Sequence, residues 1–164
     1  MILGMTTLTF IHVVLSLIGI VAGFVAMAGL LASQRRDGWT AIFLAATVAT
    51  SVTGFLFPVS KLLPSHIVGI VSLVILAVAL YALYGRHLSG VWRPVYVVTA
   101  MIALYLNVFV LIIQSFLKIA PLNALAPTQS ELPFVIAQGA ALLFFVIVTI
   151  VAAMRFRPSV ARMV

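Results

Sequence analysis

The chain has 164 residues, of which 65% are hydrophobic and only 7% are charged. Soluble globular domains carry close to a quarter charged residues, so this composition excludes an ordinary soluble protein. A net charge of +7 would suit a nucleic-acid partner, but the arginines stand in short connectors beside apolar runs, as expected beside anionic lipid headgroups. Cysteine is absent, which excludes disulfides, thiolate metal sites and cysteine nucleophiles.

Five apolar runs follow one another along the chain, each close to the roughly 20 residues that a helix needs to cross a hydrocarbon core. In lipid a helix satisfies every backbone group within its own segment, so the class is all-α. The runs fall at residues 8–32, 40–57, 66–84, 94–117 and 133–154. We therefore expect a polytopic membrane bundle of five transmembrane helices, forming one integral membrane domain over residues 1–164.

The basic residues are divided unevenly between the connectors. Lys61 and Lys118 fall in the second and fourth connectors. The other seven fall in the first and third connectors and the C-terminal tail: Arg35, Arg36, Arg86, Arg93, Arg155, Arg157 and Arg162. Short cytoplasmic loops retain Lys and Arg, so the pattern predicts the N-terminus outside and the C-terminus inside.

The first four spans contain two segments with similar spacing. Trp39 lies 27 residues after His12, and Trp92 lies 26 residues after His66. A second span follows each tryptophan with the same predicted orientation. The spacing indicates a two-helix parallel repeat about an axis normal to the membrane, plus a fifth helix. The alternative is a chance match between apolar segments.

Polar residues within the apolar runs usually face a bundle interior or a cavity. In the predicted orientation they gather in the outer half of the bundle. A spacing of seven residues is nearly two helical turns, so Asn107 and Gln114 share one face of the fourth span. The predicted ligand-binding site, in an outer-half cavity, comprises His12, His66, Asn107, Gln114, Gln138 and Glu131.

Each of these residues also has a purely structural explanation. Asn107 and Gln114 are equally well explained as interhelical hydrogen bonds. His12 and His66 are also typical of wet residues at the headgroup level.

Glu131 is the only acidic residue predicted on the outer face. Thr128-Gln-Ser-Glu131 has the spacing of a helix-capping box, and Pro133 follows two residues later. Its other candidate partners are Lys118, Lys61 and His66. A capping or ion-pair role is favoured over general-base catalysis, which would need a partner at hydrogen-bond range.

Two further features indicate packing rather than chemistry. Gly19-x-x-x-Gly23 predicts a close-packing notch between helices. Thr47 and Thr50 can bond their own backbone carbonyls and need no function.

In the fourth connector, residues 121–127 predict a short helix at the outer interface, which would either cover the polar residues or simply space the flanking spans.

An intramembrane histidine, a first span rich in small residues and Gly85-Arg86-His87 before the next span resemble small bacterial inner-membrane proteins without an assigned function. The resemblance covers most of the first four spans. It implies a bacterial inner membrane and carries over no catalytic residues.

Three functions remain open. The first is a non-enzymatic protein that binds or translocates a small amphipathic molecule or ion in the outer-half cavity. The second is an accessory subunit whose small-residue stripe contacts other membrane subunits or a second copy. The third is a haem- or quinone-carrying electron-transfer protein, in which His12 and His66 would be the axial ligands of a haem b.

An enzyme is the least supported class. The chain has no His-Glu-x-x-His, no Gly-x-Ser-x-Gly and no carboxylate pair. Nucleic-acid motifs are also missing, so the predicted partner is the lipid bilayer and not a nucleic acid.

Overall fold

A computed structural model describes residues 6–57 and 64–158, and this part of the chain is helical and contains no strand. Lys61 and Arg162 lie outside the described residues. A single π-helical turn, Tyr81–Gly85, extends the third helix. The helices are α1 (Thr7–Leu31), α2 (Asp37–Gly54), α3 (Pro64–Leu80), α4 (Trp92–Lys118), α5 (Ala120–Leu125) and α6 (Leu132–Arg155).

The predicted all-α class is confirmed for the described residues. Four of their helices are long and apolar enough to cross a membrane, one fewer than the five predicted. They are Thr7–Leu31, His66–Gly85, Trp92–Lys118 and Leu132–Arg155. The helix α2 is not among them. Its 18 residues span about 27 Å, and they include four threonines and a charged first residue, Asp37.

Long helices that follow one another along the chain run antiparallel. Gly23 of α1 lies against Phe43 of α2, and the ring of Tyr81 lies against that of Trp92 at the start of α4. The Tyr96 ring is close to that of Phe156, which follows α6. The bundle therefore has an arginine end, which carries Arg35, Arg36, Arg86, Arg93, Arg155 and Arg157, and a histidine end, which carries His12, His66 and Glu131.

The helix α4 is the centre of the bundle. It contacts α1, α3, α5 and α6, while α2 lies between α1 and α3. The helix α6 packs only on α4 and α1 among the stronger contacts, so most of its surface is exposed to the surroundings, as a lipid-facing helix would be.

The buried core lies in the arginine half. The buried residues of α1 begin at Gly19, those of α2 end at Thr47, and those of α4 end at Asn107 apart from Phe116. Towards the histidine end, the side chains of α1 from Thr7 onward are half-buried or exposed. The tightly packed part of the bundle therefore stops near the level of Gly19, Thr47 and Asn107.

The predicted glycine notch on α1 is confirmed by its surroundings. A Cβ atom on Gly23 would stand 2.5 Å from Cδ1 of Leu104 and 2.9 Å from Cδ2 of Phe43. Both neighbours are almost fully buried. Only a residue without a side chain lets α1 approach α2 and α4 this closely.

The short helix expected in the fourth connector is present as α5. It packs against the C-terminal turns of α4. Asn123 Nδ2 donates to the carbonyl oxygen of Phe116 at 3.1 Å, and Gln129 Nε2 donates to that of Ile113 at 3.0 Å. The Phe116 carbonyl is one of the last four of α4, which the end of a helix leaves without an intrahelical partner.

Candidate functional site

A direct hydrogen bond joins α1 and α2 near the histidine end. His12 Nδ1 and Thr53 Oγ1 are 2.9 Å apart, and His12 is half-buried. The imidazole also meets the ring of Phe57 edge to face, with centroids 5.3 Å apart. A Cβ atom on Gly54 would be in ordinary contact, 3.7 Å, with the Cε1 atom of His12. The ring is therefore held in one orientation.

The other contacts of the Thr53 hydroxyl bear on which nitrogen of His12 carries the proton. The Thr53 hydroxyl has one hydrogen, which it donates to the carbonyl oxygen of Ala49 at 2.8 Å or, less favourably, to that of Thr50 at 3.1 Å. The Thr53 oxygen can then only accept from the imidazole. In this arrangement His12 donates from Nδ1, and in the neutral ring Nε2 keeps its lone pair and is an acceptor.

A second interhelical hydrogen bond joins α4 to α2 one level deeper. Asn107 Nδ2 donates to Thr47 Oγ1 at 3.0 Å, and the Thr47 hydroxyl donates to the carbonyl oxygen of Phe43 at 2.7 Å. Asn107 is 8% exposed and Thr47 is fully buried. The missing side chain of Gly19 makes room for Thr47, since a Cβ atom there would lie 3.3 Å from the hydroxyl oxygen.

Thr50 lies between these two hydrogen bonds. Its hydroxyl oxygen is buried and has no hydrogen-bond partner among the described residues. Buried polar atoms are nearly always hydrogen-bonded, so such an atom calls for an explanation. In the antiparallel register that pairs His12 with Thr53, Ser16 of α1 falls at the level of Thr50.

These residues form a line that we call the polar seam. Successive threonines of α2 are three residues apart, so each lies about 4.5 Å further along the axis and about 60° further round it. The seam runs about 9 Å from Thr53 to Thr47. Its members are His12, Ser16, Thr47, Thr50, Thr53 and Asn107.

The seam ends on apolar side chains. Phe43, Leu44 and Leu104 are each 1–2% exposed and pack below Thr47 and Asn107. Beyond them, at the arginine end, lies a cleft of about 10 Å³ whose lining includes Thr40 and Tyr96, space for a single water molecule. In the described residues the seam is a line of contacts between helices, whereas this cleft lies at the opposite end from the expected cavity.

His66 lies at the same end of the bundle as His12. It is buried, and its ring is 5.7 Å from that of Phe55. Both histidines thus meet the short segment that follows α2, His12 through Phe57 and His66 through Phe55. Among the described residues, no three His, Asp or Glu side chains are grouped as a metal site would require.

The two glutamines of the predicted site differ in placement. Gln138 Nε2 donates to the carbonyl oxygen of Phe109 at 3.2 Å, and its Oε1 atom is buried without a partner among the described residues. Gln114 is exposed, so the prediction that it points into the bundle with Asn107 is wrong. The two do share a helical face, but the close packing that buries Asn107 stops before reaching Gln114.

The carboxylate of Glu131 is hydrogen-bonded to residues of the turn that precedes α6. Its carboxylate accepts from the Thr128 amide at 3.1 Å, from the Thr128 hydroxyl at 2.8 Å and from the Ser130 amide at 3.1 Å. In the predicted capping box Thr128 would be the N-cap, but α6 begins at Leu132 and its N-cap is Glu131. Only the half of the box in which Glu131 accepts from the Thr128 amide therefore forms. Desolvation acts to raise the pKa of Glu131, but the Thr128 and Ser130 hydrogen bonds hold that pKa below its ordinary value.

The sequence pattern did not single out the threonines of α2 as site residues, since each can bond its own backbone. Thr47 and Thr53 do so and still accept a second hydrogen bond from another helix. The sequence feature that could have indicated the seam is the three-residue spacing of Thr47, Thr50 and Thr53, together with the stripe of small and polar residues on α1.

The chain matches no protein-family model, no curated protein and no solved structure, so its function has to be argued from these residues.

Proposed function

We propose that this small integral membrane protein binds the polar group of a small amphipathic molecule, one that carries a hydroxyl, on the polar seam. The observation that carries the proposal is the buried Thr50 hydroxyl, which has no hydrogen-bond partner within residues 6–57 and 64–158. It lies between two hydrogen bonds that tie α2 to α1 and to α4.

The seam keeps hydrogen-bonding capacity that complements a hydroxyl group. The Nε2 atom of neutral His12 is an acceptor for the ligand's O–H, and the Thr50 hydroxyl can donate to the ligand's oxygen. The amide of Asn107 uses one N–H for Thr47 and has a second. Few polar groups set in apolar walls are the usual make-up of a small-molecule site.

Access from the bilayer supports binding of a membrane-soluble molecule. The side chains of α1 on the histidine side of Gly19 are half-buried or exposed, so a ligand would reach the seam without separating a packed core. The apolar layer of Phe43, Leu44 and Leu104 closes the deep end. We therefore favour binding over translocation.

The proposal also includes a topology. We infer that α2 crosses the membrane with the other long helices, which gives five spans with the arginine end in the cytoplasm of a bacterial cell. The basic asymmetry supports this orientation. Reporter fusions after Asn123 and after Arg157 flank α6, and fusions after Gln34 and after Phe57 flank α2. The two fusions of each pair should report opposite sides. The same side for the pair that flanks α2 would contradict the five-span topology.

A photoreactive long-chain alcohol tests the site. The purified protein in lipid nanodiscs is irradiated with the probe, and the labelled peptides are identified by mass spectrometry. We expect labels on α1 near Ser16 and on α2 near Thr50 and Thr53. Labels spread evenly over the exposed surface of α6 would contradict the proposal.

The variant Thr50→Val sharpens the test because it keeps the shape of the side chain and removes a hydroxyl that no described residue binds. We expect about a fivefold to tenfold loss of labelling at the seam, the effect of one hydrogen bond, with the fold unchanged. The matched control is Thr149→Val. Thr149 bonds only its own helix, at the carbonyl of Phe145, so its removal should leave the labelling as it is.

A further inference from the structure

Two helices begin at the arginine end, and their first turns carry opposite charges. The helix α2 begins with Asp37, whose carboxylate pairs with Arg35 at 2.9 Å. The helix α4 begins with Trp92 and Arg93, and it has neither a side-chain cap nor an acidic residue in its first turn. Cations near a helix N-terminus oppose the helix dipole, so the start of α4 carries positive charge that no residue of its own turn offsets.

A second arginine, Arg86, contacts Trp92, the first residue of α4. The guanidinium carbon of Arg86 lies 5.7 Å from the centroid of the Trp92 ring, and the Tyr81 ring meets Trp92 edge to face at 5.1 Å. A cation–π contact uses the face of a guanidinium and leaves its N–H groups able to donate elsewhere. Arg86 is exposed, so these donors are accessible from outside the bundle.

Arg93 has an unpaired hydrogen-bond donor in the described part of the chain. Its Nε atom is buried and has no partner among the described residues. Arginine presents its N–H donors in a planar fork that matches the oxygens of a phosphate group. Arg93 directly follows Trp92, whose ring Arg86 contacts. The unpaired Nε donor of Arg93 therefore points to an anion as its partner.

The connector that holds Arg86 has a defined backbone. His87 and Leu88 have φ angles of 50° and 59°, a region that side chains make unfavourable and that clusters at binding sites. The Arg86 amide donates to the carbonyl of Tyr81 at 2.8 Å, and the Leu88 amide donates to that of Ala82 at 3.0 Å. The guanidinium is thus presented on a locked turn.

We propose that Arg86, Trp92 and Arg93 form a binding site for the phosphate group of an anionic phospholipid. The apolar surroundings favour a lipid over a soluble anion, because Tyr84 and Val91 are 53% and 71% exposed beside the site and would border an acyl chain. Tryptophan is also enriched at the headgroup level of membranes. The site lies at the opposite end of the bundle from the polar seam. The proposal of a phospholipid site therefore does not depend on the function proposed for the seam.

Trp92 supplies the measurement. The chain has two tryptophans, so Trp39→Phe leaves Trp92 as the only indole fluorophore. This variant is reconstituted into phosphatidylcholine vesicles that contain a minor fraction of either brominated phosphatidylglycerol or brominated phosphatidylcholine. Bromine quenches tryptophan at contact, and we expect stronger quenching by the anionic lipid at equal mole fraction. Equal quenching by the two lipids would overturn the proposal.

Arginine substitutions separate a site from a diffuse charge effect. Arg86→Gln and Arg93→Gln should each reduce the preference for the anionic lipid about tenfold or more, the effect of losing one hydrogen bond to a charged group. Arg157→Gln removes the same charge at the same end of the bundle and should leave the preference intact. An equal loss of lipid preference in all three variants would mean that the overall positive charge of this end attracts the anionic lipid, and would contradict a specific site. Arg86 is exposed, so its variant remains informative even where Arg93→Gln disturbs the start of α4.

Free phosphate distinguishes the lipid from its headgroup. We expect inorganic phosphate to leave the quenching preference unchanged when sodium chloride of matched ionic strength serves as the control. Removal of the preference by phosphate but not by chloride would identify a soluble-anion site and contradict the lipid assignment.

Discussion

His12 and Thr53 lie on different helices, and their side chains are joined by a hydrogen bond of 2.9 Å between Nδ1 and Oγ1. Thr53 gives its own hydrogen to the backbone of α2. The bond therefore does two things: it fixes the distance between α1 and α2 near the histidine end, and it leaves the opposite nitrogen of the imidazole as an acceptor.

The first prediction concerns the tautomer of His12. In ¹⁵N-labelled protein, the neutral imidazole should carry its proton on Nδ1, because the Thr53 oxygen can only accept. Thr53→Val removes that acceptor, and the ring should then lose its preference for the Nδ1–H form. The chemical shifts of the two ring nitrogens measure this directly. A wild-type ring protonated on Nε2 would contradict the hydrogen-bond assignment.

The sequence predicted the helices well, because the length of an apolar run is nearly sufficient to define a membrane helix. The exception is α2, expected at 40–57 and found at Asp37–Gly54. The apolar run begins after Asp37, Gly38 and Trp39, whereas the helix includes all three residues. An aspartate in the first turn is favoured by the helix dipole, so the helix starts earlier than its apolar run.

The site was less predictable because it depends on how the helices fit together. Periodicity put Asn107 and Gln114 on one face, but only packing decided that Asn107 is buried and Gln114 exposed. The pairing of Asn107 with Thr47 needs the register between α4 and α2, which neither helix encodes alone. Glu131 had a local signal, the capping-box spacing, and half of that box forms.

The second prediction tests the close approach at Gly23. Gly23→Ala places a methyl group within 3 Å of Leu104 and Phe43, and both are too buried to move freely. Overpacking of this kind costs about 1–3 kcal/mol. Reversible unfolding in mixed micelles measures the loss.

Gly139→Ala is the matched control for Gly23→Ala. A Cβ atom on Gly139 meets no atom within 4 Å, and alanine is the better helix former by up to about 1 kcal/mol. This variant should be as stable as the wild type or more stable. Equal effects of the two substitutions would mean that α1 does not pack through Gly23.

The third prediction concerns the titration of Glu131. Hydrogen bonds from Thr128 and Ser130 favour the ionised carboxylate and lower its pKa. Their stabilisation is therefore complete above the pKa of an unfolded glutamate and is lost as the pH falls through the lower, folded pKa. In a carboxyl ¹³C titration, Thr128→Val should move the pKa of Glu131 upward, since the hydroxyl donor is lost and the amides remain. An unchanged pKa in this variant would show that the hydroxyl does not bind the charged form.

The last prediction measures the coupling between Asn107 and Thr47. Asn107→Leu leaves the Thr47 oxygen without its donor, and Thr47→Val leaves the Asn107 amide without its acceptor, so each single variant should be less stable than the wild type. The double variant leaves neither group unpaired. In a double-mutant cycle we expect a coupling free energy of about 0.6 kcal/mol, and up to roughly 1.7 kcal/mol, the range for hydrogen bonds between membrane helices.

The Thr149→Val variant supplies the control cycle with Asn107→Leu. Thr149 lies on α6 and bonds only its own helix, so the two substitutions should be additive. Coupling in both cycles would reflect a general loosening of α4, whereas coupling with Thr47 alone would locate the effect in the hydrogen bond. Additive behaviour with Thr47 would mean that the 3.0 Å bond between Asn107 and Thr47 contributes nothing to the association of α4 with α2. The deep end of the seam would then be held by the packing of Phe43 and Leu104 alone.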